Sequence, residues 1–98
     1  MYIRSIGQQQ EKAMAEIDIY TSPFCGFCLR AKRLLKSKGA DFNELDIFMN
    51  RGLKREMIDR ASGRSTVPQI FIEGRHIGGS DELYALDSIG ELDTLLEA

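Results

Sequence analysis

Two cysteines separated by two residues are the feature of this sequence with the clearest chemical meaning. Cys25 and Cys28 lie between a strand-like run, residues 16–21, and a segment with helical character. A Cys-x-x-Cys pair at the junction of a strand and a helix is typical of redox-active thiols. Residues three apart in a first helical turn have Cβ atoms about 5–6 Å apart, so a reversible disulfide needs only small adjustments. The spacing therefore predicts thiol–disulfide exchange.

The helix start gives the two cysteines different roles. Unpaired backbone N–H groups and the helix dipole favour an anion at this end, so Cys25 should be rich in thiolate. Cys28 lies one turn further in and should be less so. We expect Cys25 to attack a disulfide sulfur, and Cys28 or an external thiol to resolve the mixed disulfide.

Two other interpretations of the pair are weaker. A disulfide that closes so small a loop restricts the unfolded chain little, so a purely structural pair gains little stability. Structural zinc usually takes four ligands, whereas this chain offers two cysteines and the single His76. His76 lies far from the pair in a short predicted strand, and we expect a structural role for it.

Length and composition indicate one small domain. The chain has 98 residues, 43% of them apolar, and its 13 basic and 15 acidic residues leave a formal charge of −2. This balance gives no electrostatic case for nucleic acid or an anionic membrane, and no apolar run is long enough for a membrane span or secretory signal. We expect a cytoplasmic monomer whose residues 14–98 form the domain and whose polar residues 1–13 form a flexible extension.

The hydrophobic pattern alternates between strand and helix and so predicts an α/β fold. A βαβα half is followed by a ββα half, whose helix should begin after Gly79 with Ser80 as its cap. The core-facing side of the first helix is predicted to be Phe27, Ala31, Leu34 and Leu35. The expected elements are strands 16–21, 41–47, 69–72 and 75–77, and helices 26–38, 51–61, one from 80, and 91–96.

Several motifs together carry a resemblance to a known family. They are Ile19-Tyr20-Thr21, Cys25-Gly26-Phe27-Cys28, the run from Thr66-Val67-Pro68 to Ile72, and the run from His76 through Gly79-Ser80-Asp81 to Tyr84. With these motifs the chain resembles the bacterial dithiol glutaredoxins of the third type, from about Ala15 to its C-terminus. The combination is far more specific than a Cys-x-x-Cys pair alone.

The resemblance implies a thioredoxin fold, with a four-stranded mixed sheet flanked by helices and a cis peptide bond between Val67 and Pro68. It also implies glutathione as the reductant, with the Val67 backbone pairing with the tripeptide and the helix start at Ser80 and Asp81 receiving its γ-glutamyl end. Those two residues could equally serve as cap and dipole partner, which is compatible with binding. The implied glutathione-binding residues are Phe27, Arg64, Thr66, Val67, Pro68, Gly79, Ser80 and Asp81.

The chain departs from the family pattern in two places. Ser22 stands where relatives often have a lysine, three residues before the first cysteine, so another cation must meet the glycyl carboxylate. We favour Arg64 for this contact over Lys32, which should point along the cationic helix surface. Gly26 and Phe27 replace the proline and tyrosine of the commonest motif, which frees a backbone N–H and removes a hydroxyl group.

Three functions remain open at this point. The first is glutathione-dependent reduction of protein disulfides and glutathione mixed disulfides. The second, motivated by Gly26, is a [2Fe–2S] cluster shared by two chains, in which Cys25 would be the chain's metal ligand. The third is a hydrogen donor recharged by thioredoxin reductase, which the helix opening at Gly79-Ser80-Asp81 disfavours.

Overall fold

In the computed structural model of residues 14–97, strands and helices alternate in the predicted order. The predicted extension, residues 1–13, lies outside the described residues, as does Ala98. Each predicted element is present, with ends that move by at most two residues. The strands are β1 (Ile17–Thr21), β2 (Asn43–Asp46), β3 (Gln69–Ile72) and β4 (Arg75–Gly78), and the helices are α1 (Gly26–Ser37), α2 (Arg51–Arg60), α3 (Ser80–Ser88) and α4 (Glu91–Leu96).

The four strands form one sheet in the order β2-β1-β3-β4. β1 pairs in parallel with β2, and antiparallel with β3, so that Ile19 is opposite Glu44 on one side and Ile70 on the other. β4 continues the sheet antiparallel to β3. This arrangement confirms the predicted α/β class with a mixed four-stranded sheet flanked by helices.

Each face of the sheet has its own hydrophobic cluster, because successive side chains of a strand point to opposite faces. On one face Ile19 and Ile70 pack with Leu35 of α1 and Leu83 of α3. On the other face, residues of α2 and the sheet form a smaller cluster, which contains Tyr20, Met57, Ala61 and Phe71. The buried strands hold the loops at the carboxyl end of β1 in place, and the cysteine pair lies there.

One core prediction is wrong. Phe27 is 61% exposed, and the buried side of α1 consists of Cys28, Ala31, Leu34 and Leu35. At 100° per residue both Phe27 and Cys28 lie within about 60° of Ala31, so the helical period alone could not choose between them. In the first turn Cys28 points inward, whereas Phe27 lines a surface groove with Val67 and Pro68.

Among residues 14–97, no helix is both long enough and apolar enough to cross a membrane.

Candidate active site

The cysteine pair lies at the start of α1, where the sequence places it. Cys25 is the N-cap, with an extended backbone, and Cys28 lies in the first turn. The two residues are joined by a disulfide, with their Cα atoms 5.2 Å apart. The backbone N–H of Cys28 donates to Cys25 Sγ at 3.1 Å.

The two sulfur-bearing side chains differ in accessibility. Cys28 is only 2% exposed, whereas Cys25 is partly exposed at the surface. A partner's sulfur can therefore approach Cys25 much more easily than Cys28. Since a donor from the helix start already points at Cys25 Sγ, negative charge on this sulfur is stabilised. The predicted roles, nucleophile for Cys25 and resolving thiol for Cys28, require this difference in access.

A loop that precedes β3 lies against the exposed cysteine. The peptide bond between Val67 and Pro68 is cis, as the resemblance implied. The carbonyl oxygen of Val67 lies 3.8 Å from Cys25 Sγ. A peptide that extends along Val67 would consequently run past the reactive sulfur.

Side-chain contacts from β3 and β4 fix this loop. The amide nitrogen of Gln69 donates to the Thr66 carbonyl oxygen at 3.0 Å, and the amide oxygen of Gln69 lies 2.7 Å from Nε2 of His76. The His76 ring also stacks on Phe71, with 4.9 Å between the centroids. Burial lowers the pKa of His76, and the nearby Arg64 charge lowers it further. These contacts agree with the structural role expected for His76.

The start of α3 differs from the prediction in one respect. Gly79, not Ser80, is the N-cap, and Ser80 is the first helical residue. The Ser80 hydroxyl accepts a hydrogen bond from Arg30 at 3.0 Å and so does not cap the helix. The capping carboxylate comes from Glu82, which accepts the Gly79 N–H at 2.6 Å; this bond lowers the pKa of Glu82. Sequence reasoning missed Glu82, although an acidic residue three positions after a cap is a known capping signal.

The predicted glutathione-binding residues lie around one groove of about 320 Å³. The groove runs from the first turn of α1, past the cis peptide, to the start of α3. Its lining comprises all eight predicted residues together with Glu82: Phe27, Arg64, Thr66, Val67, Pro68, Gly79, Ser80, Asp81 and Glu82.

The two candidate cations for the glycyl carboxylate line two different grooves. Arg64 lines the groove, and its Nη1 lies 3.8 Å from a carboxylate oxygen of Glu82. Lys32 donates to Glu44 of β2 at 2.8 Å and so lies against the sheet, not free along the helix surface as we had expected. That bond is the main reason why the pKa of Glu44 is lowered.

A second groove, of about 620 Å³, is lined by both cysteines and by Gly26 between them. Lys32 and Ser22, at the position where relatives often have lysine, line this groove and not the first one. Cys25 thus lines the second groove and lies against Val67 of the first, which suits an exchange reaction in which the entering and leaving sulfurs approach it from different directions. Further lining residues include Thr21, Pro23, Phe24, Leu29, Glu44 and Asp46.

The sequence of this chain is similar to those of known redox proteins. The glutaredoxin family model matches residues 17–77. The chain is 58% identical to glutaredoxin 3 of Escherichia coli strain K12 over 84 residues, which are 86% of this chain and 100% of that protein.

Solved structures are similar in fold. The solution structure of glutaredoxin from Brucella melitensis has a TM-score of 0.76 and 53% identity, over 87% of this chain and 91% of that one. The crystal structure of a buckwheat glutaredoxin–glutathione complex has a TM-score of 0.76 and 26% identity, over 91% of this chain and 84% of that one.

Proposed function

This chain belongs to the glutaredoxin family and is a thiol–disulfide oxidoreductase, and we propose that it reduces protein disulfides and glutathione mixed disulfides through Cys25, with glutathione as reductant. The observation that carries this proposal is the position of the Cys25 sulfur. It is the accessible sulfur of the pair, it accepts the Cys28 N–H, and it lies 3.8 Å from the carbonyl oxygen of Val67, a residue that lines the peptide-sized groove.

The reaction with a glutathionylated protein uses Cys25 alone. Its thiolate attacks the glutathionyl sulfur, the protein leaves as a thiolate, and a disulfide forms between Cys25 and glutathione. A second glutathione thiolate attacks the glutathionyl sulfur of this mixed disulfide, which releases glutathione disulfide and the Cys25 thiolate. The helix start stabilises that thiolate whenever it is the leaving group.

The reaction with a protein disulfide also needs Cys28. Cys25 attacks one sulfur of the substrate and is joined to it, and the Cys28 thiolate then attacks Cys25 Sγ. The substrate leaves as a dithiol, and the enzyme is left with the Cys25–Cys28 disulfide that the structure contains. Two glutathione molecules reduce this disulfide and become one glutathione disulfide.

The groove offers a partner for each part of glutathione. The backbone of Val67 pairs with the extended tripeptide, and the N–H groups at the start of α3 meet the γ-glutamyl carboxylate. Asp81 meets the γ-glutamyl ammonium, and Arg64 meets the glycyl carboxylate. The buckwheat relative, whose solved structure is a glutathione complex, supports this use of the groove.

The test is a glutathione-coupled reduction of a small glutathione mixed disulfide by three proteins. Wild type should be active, and Cys25→Ser should lose all activity because the nucleophile is gone. Cys28→Ser should keep this reaction but lose the reduction of a protein disulfide, which needs the second thiol. If Cys25→Ser stays active, or if Cys28→Ser loses both reactions while folded, the proposed roles are wrong.

A shared [2Fe–2S] cluster is the second candidate, because two features of the cysteine turn suit it. The Cys25 sulfur is partly exposed, and a Cβ added to the adjacent Gly26 would meet no atom within 4 Å other than those of its chain neighbours, so the turn is open at this residue. Within residues 14–97, no three His, Cys, Asp or Glu side chains are grouped to hold a metal. A cluster would therefore need Cys25 from two chains and two glutathione thiolates.

Anaerobic reconstitution tests this second candidate. Iron, sulfide and glutathione should give a coloured dimer on a sizing column, and Cys25→Ser should give a colourless monomer. A colourless monomer from the wild type under the same conditions would rule the cluster out.

The proposed chemistry also predicts the oligomeric state of the protein and the compartment in which it works. We infer a monomer that works in the cytoplasm on disulfide-containing or glutathionylated proteins, because glutathione acts as a reductant where its reduced form is in excess. Analytical ultracentrifugation of the reduced protein would check the monomer.

A further inference from the structure

One arginine joins the helix of the cysteines to the helix at the far end of the groove. Arg30 lies in α1, two residues after Cys28. Its Nη1 donates to Ser80 Oγ at 3.0 Å and to Asp81 Oδ1 at 3.3 Å. Its guanidinium lies 4.0 Å from the centroid of the Tyr84 ring, and the Tyr84 hydroxyl donates back to the Arg30 carbonyl oxygen at 3.1 Å. All four contacts are with α3.

The contact with Ser80 fixes the direction of a hydroxyl proton. A guanidinium only donates hydrogen bonds, so Ser80 Oγ must be the acceptor in this pair. The Ser80 proton is then directed to another acceptor. Ser80 is only 4% exposed, so the hydroxyl has little freedom to turn away. An anion at the start of α3 would be the natural acceptor.

The contact with Asp81 leaves that carboxylate able to bind a cation. Only Oδ1 is engaged by Arg30, and the Asp81 side chain is 84% exposed. A positive guanidinium therefore lies next to a negative carboxylate at the mouth of the groove. The Ser80 hydroxyl proton and the Asp81 carboxylate, both held by Arg30, together complement a group that carries a carboxylate and an ammonium on one carbon.

We propose that Arg30 is a positioning residue that makes the groove selective for the γ-glutamyl group. It orients the Ser80 hydroxyl toward the γ-glutamyl carboxylate and holds Asp81 where it meets the ammonium. The proposal rests on the proposed function, since it assigns recognition of one end of glutathione to a residue outside the groove lining. Arg30 has no part in the sulfur chemistry.

A purely structural role would have a different signature. An ion pair as exposed as that between Arg30 and Asp81 contributes little to folding stability. If the contacts served only to hold α1 against α3, their loss would affect every substrate of Cys25 alike. Selectivity for the γ-glutamyl group separates the two roles.

The experiment uses one small thiol in mixed disulfide with glutathione and, separately, with cysteinylglycine, which lacks the γ-glutamyl group. For each, kcat/KM of the disulfide reports the first attack by Cys25. Arg30→Met should lower kcat/KM for the glutathione disulfide by about tenfold, mainly through KM. The value for the cysteinylglycine disulfide should stay within about twofold, because that substrate makes no contact with Ser80 or Asp81.

Two further variants act as controls. Arg33→Met removes an exposed positive charge from the same helix and should leave both substrates unchanged. Arg30→Lys keeps the charge but loses the forked geometry, so it should restore part of the loss. Circular dichroism confirms that each variant is folded.

The outcomes separate the inference from its premise. If Arg30→Met lowers kcat/KM equally for both disulfides, Arg30 is structural and the inference is overturned. If the wild type itself does not prefer the glutathione disulfide over the cysteinylglycine disulfide, the proposed glutathione groove is wrong, and the inference is lost with it.

Discussion

Gly78 at the end of β4 is the position where a single methyl group should do most damage to the groove. Its φ is +117°, a backbone conformation that side chains rarely adopt. An added Cβ would lie 2.8 Å from a carboxylate oxygen of Glu82 and 3.1 Å from Nη1 of Arg64. The methyl group would therefore push Glu82 from the Gly79 N–H and displace Arg64.

The cost can be compared with that at a matched glycine. Gly74, in the turn between β3 and β4, also has positive φ (+78°), but an added Cβ would meet no atom within 4 Å. Gly74→Ala should cost about 1 kcal/mol of backbone strain. Gly78→Ala should cost about 2 kcal/mol of strain, plus about 1 kcal/mol for the half-exposed hydrogen bond of Glu82, hence about 3 kcal/mol in all.

Urea unfolding of the two variants, followed by circular dichroism, measures this difference of about 2 kcal/mol. A second readout is KM for a glutathione mixed disulfide, which should rise in Gly78→Ala because the groove is distorted and stay unchanged in Gly74→Ala. The reasoning is refuted if the two variants unfold within about 0.5 kcal/mol of each other and share one KM.

Three more predictions concern the groove cation, the helix cap and the core. Arg64→Met should raise KM for a glutathione mixed disulfide about fivefold, whereas Lys32→Met should not; equal effects would contradict the choice of Arg64. The folded-state pKa of Glu82 is below its ordinary value of 4.5, so its stabilising contribution is present above that pH and lost as the pH falls further. Glu82→Gln should therefore flatten the stability profile between about pH 5 and pH 3, and an unchanged slope in urea unfolding would count against the cap. Leu35→Ala, at a fully buried position, should cost about 3 kcal/mol in the same assay, against less than about 1 kcal/mol for the half-exposed Leu29→Ala.

Local patterns predicted most of the fold, because each pattern needs only neighbouring residues. The alternation of strand and helix periods gave the element order, and the predicted ends were off by at most two residues. The same local reasoning failed where two neighbouring residues competed for one role and a distant contact decided between them. Ser80 is a better cap by residue type than Gly79, yet its hydroxyl is engaged by Arg30, which is fifty residues away in the chain.

The side of α1 that faces the core was ambiguous for a related reason. Helical spacing placed Phe27 on the core side, although cysteine is by residue type at least as often buried. The structure buries Cys28 and leaves Phe27 at the groove, because the cis peptide loop at Val67 and Pro68 lies against the first turn. No local pattern around α1 contains the position of that loop.

The sequence by itself determined that a reactive cysteine would stand at the electropositive start of a helix, with a second thiol one turn inside. Residue type and a spacing of three were enough for that, since both follow from the geometry of one helical turn. Only the tertiary structure decided that Arg64 and not Lys32 shares the groove, and that Arg30 reaches Ser80 and Asp81. These are distances between distant parts of the chain, and packing of the helices against the sheet, not the local sequence, sets them.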